Sequence, residues 1–207
     1  MSQMSSRASL EEEVYLRALT GRLVGVHEFE GLKRIAIISY PDRICESIAA
    51  AATVAYFERH GYGENKVKIF DYSPNIQETA KKIVSWGAEG VYLAFGGEQK
   101  MSLVNEVFLR SLDALRVAGF RGVLLLHVRS WLASKQLSTA LQDKELLKWL
   151  RSLPEIRLFT ADVNARKFYF SKVRISEDGK VSLERYREEN ITEEHANLLK
   201  ISLPPPD

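Results

Sequence analysis

Residues 90–128, GVYLAFGGEQKMSLVNEVFLRSLDALRVAGFRGVLLLHV, decide the fold. Two short apolar runs, residues 90–95 and 122–128, bracket an amphipathic stretch, residues 102–118, which stops at Gly119. Strand, helix and strand at this spacing make a βαβ crossover, the connection between parallel strands. The run Val123–Leu126 is apolar on both faces, as a strand covered by helices on both sides must be.

The same unit repeats outward in both directions. Upstream, residues 34–40 (RIAIISY) form a strand, 43–60 an Ala-rich helix stopped by Gly61, and 66–72 (KVKIFDY) a second strand. Residues 75–86 are a helix opened by Ser73-Pro74 and closed by Gly87. Downstream, residues 139–152 form one helix ended before Pro154, and 156–160 (IRLFT) a fifth strand. The pattern then changes. Residues 167–175 and 181–187 alternate polar and apolar around Glu177-Asp178-Gly179, a hairpin signal. The expected fold is a three-layer α/β/α sandwich with a mostly parallel sheet of about five strands and a C-terminal antiparallel edge hairpin. Residues 1–31 read as an N-terminal helix (10–19) followed by a loop containing Gly21, Gly25 and Gly31. Residues 32–190 read as a single α/β domain, and 191–207 as a short helix and a Pro-rich tail.

Length and composition agree. The 207 residues suit one domain of roughly 100–200 residues with short additions. A hydrophobic fraction of 45% is too apolar for general disorder. Lys and Arg total 29 against 27 Asp and Glu, which argues against the broad positive surface of a dedicated nucleic-acid binder. No apolar stretch approaches the ~20 residues that span a bilayer, so no membrane partner is expected. Residues 1–10 are polar, unlike a secretory signal, and the single Cys45 cannot form an internal disulfide. The expected location is cytoplasmic.

In an open α/β sheet, ligands bind beyond the carboxyl ends of the strands, so the loops there hold the candidate sites. The first loop cannot be a phosphate loop. Laid on G-x-x-x-x-G-K-[ST], residues 39–46 put Ser39 and Ile44 where glycines belong, Cys45 where Lys belongs and Glu46 where the hydroxyl belongs. Asp42 reads as a helix N-cap. The third loop, Phe95-Gly96-Gly97-Glu98-Gln99-Lys100-Met101-Ser102, is the better candidate. Gly96 and Gly97 permit close backbone approach, a helix starts behind them, and Gln99, Lys100 and Ser102 add polar groups. Asp71 ends the second strand without the glycine fingerprint that would make it a ribose ligand. His127 and Cys45 lack the partners of a catalytic dyad, and the four histidines are isolated, so no catalytic residue, metal site or cofactor is expected. On the hairpin, Lys172, Arg174 and Arg185 stand among aromatics and, with Arg129, form a candidate path for single-stranded nucleic acid.

Residues 20–187 resemble the RecA/KaiC-like ATPase superfamily in layout. Thr20-Gly21 precedes the first strand, a turn of P-loop length follows it, residues 91–95 occupy the Walker B strand, and the terminal hairpin closes the domain. Phe95 and Gly96 stand where Walker B requires Asp. The resemblance therefore implies a non-hydrolysing paralogue that binds a protein partner or its own copies in DNA recombination or repair assemblies. A competing resemblance is to CARF domains, whose G-G-T-K-x-M segment is echoed by Gly96, Gly97 and Met101, with Lys100 displaced by one position. That alternative implies sensing or cleaving of cyclic oligoadenylate in CRISPR defence.

Overall fold

The order of the strands is set by two kinds of connection, crossovers that keep strands parallel and one tight hairpin that reverses them. The computed structural model describes residues 8–97, 99–127 and 136–202. Seven strands form one sheet in the order β2-β1-β3-β4-β5-β6-β7. They are β1 (Ile35–Ser39), β2 (Val67–Asp71), β3 (Gly90–Ala94), β4 (Val123–Leu126), β5 (Ile156–Asp162), β6 (Lys167–Ile175) and β7 (Val181–Asn190). The first five are parallel neighbours, while β6 and β7 add antiparallel strands at one edge. The expected three-layer α/β/α architecture is what the chain adopts.

Helices cover both faces. On one lie α3 (Ile76–Trp86), α4 (Met101–Val117), α5 (Gln136–Ala140) and α6 (Lys144–Ser152), packed on Val91, Leu93, Leu124 and Leu126. On the other lie α1 (Leu10–Leu23), a π-helical turn (Val24–Glu28), α2 (Arg43–His60) and α7 (Glu193–Ile201). These pack on Ile35, Ile37, Tyr92, Leu125, Phe159, Phe168 and Phe170. Alternate residues of β1, β3 and β4 thus feed opposite cores, which is why those strands are apolar throughout.

Three local readings need correction. The loop expected from Gly21 and Gly25 is helix, because these glycines serve close packing rather than a turn. A Cβ on Gly21 would lie 2.6 Å from the Ile48 carbonyl oxygen, and one on Gly25 2.3 Å from that of Ala52. Of Gly21, Gly25 and Gly31, only Gly31 has the positive φ of a turn, at 79°. The single helix expected over residues 139–152 is two, because Asp143 caps α6 through the Glu145 and Leu146 amides. The final strand runs on to Asn190, with a register shift opposite Phe170 and Ser171. The tail, Glu98, Arg129 and the end of the fourth strand at Val128 fall outside the described residues.

Candidate functional site

The order β2-β1-β3-β4-β5 makes the gap between β1 and β3 a switch point. From β1 the chain turns to α2 on one face, and from β3 to α4 on the other, so the two loops diverge and leave a crevice. Asp42 comes from the first loop, and Gly96, Gly97 and Gln99 from the other.

Asp42 is the N-cap of α2. Its Oδ1 accepts the Cys45 amide at 2.7 Å. Its Oδ2 is buried and has no hydrogen-bond partner. The carboxylate lies directly against Gly97: a Cβ there would come within 2.5 Å of both oxygens. What it meets on that side is therefore a Cα hydrogen, a weak contact that does not satisfy a carboxylate.

Cys45, beneath, is a fastener between the loops. Its sulfur accepts the Gly96 amide at 3.5 Å and the Gln99 side-chain amide at 3.6 Å. Burial, with the Asp42 charge second, pushes the thiol up to about 12. A helix N-terminus ordinarily activates a thiol, but here the thiol stays protonated and is no nucleophile. Arg17 of α1, on the same face as α2, reaches the loop after β3. Its Nε donates to the Gly96 carbonyl at 2.9 Å, and its Nη1 contacts Ser202 Oγ at 3.3 Å and Glu13 at 3.1 Å. Burial lowers its pKa, while Glu13 holds it up. His127 packs on Gly96, where a Cβ would lie 2.7 Å from its Nε2, and its Nδ1 is 2.9 Å from the Tyr92 hydroxyl.

Of the residues singled out from the sequence, Gly96, Gly97 and Gln99 meet in this crevice. Gln99 turns inward to Cys45, with 7% of its surface exposed. Lys100 is exposed and forms the N-cap of α4 without a side-chain cap, and Ser102 is exposed in that helix's first turn. Lys172, Arg174 and Arg185 are elsewhere, on β6 and β7 at the sheet's edge. Lys172 pairs with Glu155 at 3.2 Å, Arg174 with Glu184 at 2.7 Å, and the Arg185 guanidinium sits 3.6 Å from the Tyr169 ring centroid. Carboxylates interleave with these cations. Arg129 lies outside the described residues.

Two participants were not singled out: Arg17, hidden in an ordinary amphipathic helix, and Asp42 in any role beyond capping. A third group lies deeper. Glu28 is fully buried, and neither carboxyl oxygen has a hydrogen-bond partner. Burial raises its pKa well above the usual carboxylate range, against the opposing pull of Arg157 and the Leu126 backbone. Among the described residues, no group of three or more His, Cys, Asp or Glu could hold a metal ion, and no helix is long and apolar enough to cross a membrane.

A family model described as "Uncharacterized protein" matches residues 13–198. No curated protein matches the chain. Among solved structures, a protein from Rhodospirillum rubrum described as a branched-chain amino acid ABC transporter is 17% identical with a TM-score of 0.51, over 70% of this chain and 37% of its own. An extracellular ligand-binding receptor from Verminephrobacter eiseniae is 16% identical with a TM-score of 0.48, over 75% of this chain and 38% of its own. A leucine-binding protein from Thermotoga maritima gives 10% and 0.45, over 74% and 39%. The chain thus spans well under half the length of these proteins.

The likeness in fold to the Rhodospirillum rubrum protein overturns the expected membership of the RecA/KaiC-like superfamily, and with it the role in DNA recombination or repair. A KaiC-like protein from Pyrococcus horikoshii matches at a TM-score of 0.34 and 10% identity, too low to carry an argument. The CARF-like alternative falls as well, since the fold aligns instead with that of the Rhodospirillum rubrum protein. The physical reason is plain. Lengths and order of strands and helices are common to doubly wound domains, and the motif residues that separate one family from another were never present.

Proposed function

The chain belongs to the protein family whose model matches residues 13–198, and on that footing we propose that it binds a small polar molecule in the crevice between the carboxyl ends of β1 and β3. The observation that carries this reading is the buried, unpartnered Oδ2 of Asp42 at the switch point. A desolvated acceptor is costly, and a ligand that donates to it recovers that cost. Gly96 and Gly97 keep side chains out of the crevice wall, while Arg17, Cys45 and Gln99 hold the two loops in place. The topology supports the position, since open α/β sheets take ligands at such points. The thiol at Cys45 gives no support to nucleophilic chemistry, so the reading is binding rather than turnover.

Thermal unfolding in the presence of small metabolites tests it, with leucine, isoleucine and valine first because of the cargo named for the Rhodospirillum rubrum protein. A ligand at 100 times its Kd adds about 2.7 kcal/mol, which for a chain of this size raises the midpoint by roughly 5–10 °C. Gly97→Leu fills the crevice and drives its side chain against Asp42. It is expected to remove the shift while leaving a folded protein. An equal shift in wild type and variant would place binding somewhere else.

A further inference from the structure

We infer that two copies of this chain associate along β2, each strand pairing antiparallel with the other about a two-fold axis at Ile69. This goes beyond the crevice and does not depend on it. β2 is one edge of the sheet, with β1 as its single neighbour. The Ile35 amide donates to the Lys66 carbonyl, and the Tyr72 amide to the Ser39 carbonyl. In a parallel ladder, alternate residues of a strand bond to the neighbour. Lys66, Lys68, Phe70 and Tyr72 therefore face β1, while Val67, Ile69 and Asp71 turn their amides and carbonyls outward. Such a row is a template for another strand.

Beside that row the α2 face is apolar and open. α1 meets α2 at Ile48, Ala51 and Ala52, so the helical period places Ala50, Val54 and Phe57 on the opposite side, nearer β2. Tyr62 extends this side, its ring centroid 5.3 Å from that of Phe57. Val67 packs on the same cluster as Phe57, and Ile69, two residues on, shares its face. Half of the large apolar side chains left exposed among the described residues lie here: Val54 at 54%, Tyr62 at 78% and Ile69 at 49%. A stable pair buries roughly 1,200–2,000 Å², more than a five-residue ladder supplies, and this flank of α2 extends the contact.

A second copy is the occupant because the strand complements itself. Lys66 and Lys68 stand at its start and Asp71 at its end. Lys68 lies 5.2 Å from the Trp86 ring centroid, and among the described residues neither Lys68 nor Asp71 is in an ion pair. Antiparallel pairing sets Asp71 of each copy beside Val67 of the other, at the lysine end, whereas parallel pairing would line up like charges. Centring on Ile69 also matches every outward-facing residue with another. A two-fold pair closes, so the edge is used once and no template remains for further strands.

Sedimentation velocity of the full chain across micromolar concentrations is expected to show a dimer. Ile69→Lys and Ile69→Glu each set like charges face to face at the axis. Each is expected to weaken dimerisation about tenfold or more while keeping the wild-type circular dichroism spectrum, since the side chain is half exposed. Mixed together, the two variants are expected to dimerise again, Lys against Glu. Leu183→Lys, the same change on β7 at the other edge, should leave the dimer intact. A wild-type monomer at every concentration overturns the inference. Slow hydrogen exchange at the Val67, Ile69 and Asp71 amides of that monomer would assign the edge to another segment of this chain, and fast exchange would leave it to a foreign strand. A dimer that survives Ile69→Lys, or dissociates with Leu183→Lys, uses another surface. Variants that stay apart when mixed do not meet at a two-fold through Ile69, and that result also sinks the inference.

Discussion

At the scale of single residues, environment overrides the usual chemistry of the side chain. Cys45 has the helix position of a reactive thiol, yet burial and the neighbouring Asp42 carboxylate hold it protonated. His27 stands 3.1 Å from Glu189, but burial lowers its pKa more than the carboxylate raises it. Glu28 goes furthest. Its folded pKa is raised above the unfolded value, so the stability tied to its proton is present in acid and is lost as pH rises above about 4.5 toward the folded value. Glu28→Gln carries no such titration. Denaturant unfolding is expected to find the two proteins alike near pH 4 and the Gln variant more stable by 1 kcal/mol or more near pH 7, within the ~1–3 kcal/mol span of a buried polar change. A difference independent of pH would show that Glu28 is already ionised in the fold.

At the scale of elements, close approach and docking decide what local pattern cannot. α1 continues into the π-helical turn because Gly21 and Gly25 let it press on the α2 backbone, so residues that punctuate a sequence serve here as contact points. α7 is docked by His195, whose Nε2 lies 3.1 Å from Thr20 Oγ1 and whose ring packs on Phe168. Burial lowers its pKa from 6.5 to about 4. The fold therefore prefers the neutral ring, and its stability is full above pH 6.5 and falls as pH drops toward 4. Hydrogen exchange of the α7 amides is expected to speed up, relative to His195→Gln, over that interval. Equal pH dependence in the two proteins would assign the acid sensitivity to other groups.

At the scale of the whole molecule, two apolar cores share one sheet. Phe108 lies in the core under α3 to α6, and Phe168 in the core under α1, α2 and α7. Because β1, β3 and β4 contribute to both, the two layers are expected to melt together. Phe108→Ala and Phe168→Ala should each cost about 3–5 kcal/mol and still give one transition, coincident by far-ultraviolet circular dichroism and by tryptophan fluorescence. Two separated transitions would mean that the layers are independent. The edges differ as well. β7 carries Glu184, Arg185, Arg187, Glu188 and Glu189 and a register shift, devices that discourage strand addition. Arg185, one of the candidate nucleic-acid contacts, lies on this charged edge strand.

Strands, crossovers and the hairpin were legible in the sequence because each is written locally: an apolar run of strand length, a helix stopped by glycine, an Asp-Gly turn. The α5–α6 break was also written, in Asp143, but a cap inside a periodic stretch is easily read through. Gly96, Gly97 and Gln99 were legible as a loop, and Asp42 as a cap. Their meeting was not, because it depends on β1 and β3 lying side by side with helices leaving on opposite faces. The family resemblance failed for a related reason, since layout is shared by many folds and only specific residues discriminate. The sequence alone determined a parallel α/β sheet ending in a hairpin, through periodicity and punctuation that act over a few residues. The tertiary structure alone decided that one oxygen of Asp42 is left without a partner. That want depends on burial and on the loop from another strand, neither of which local pattern encodes.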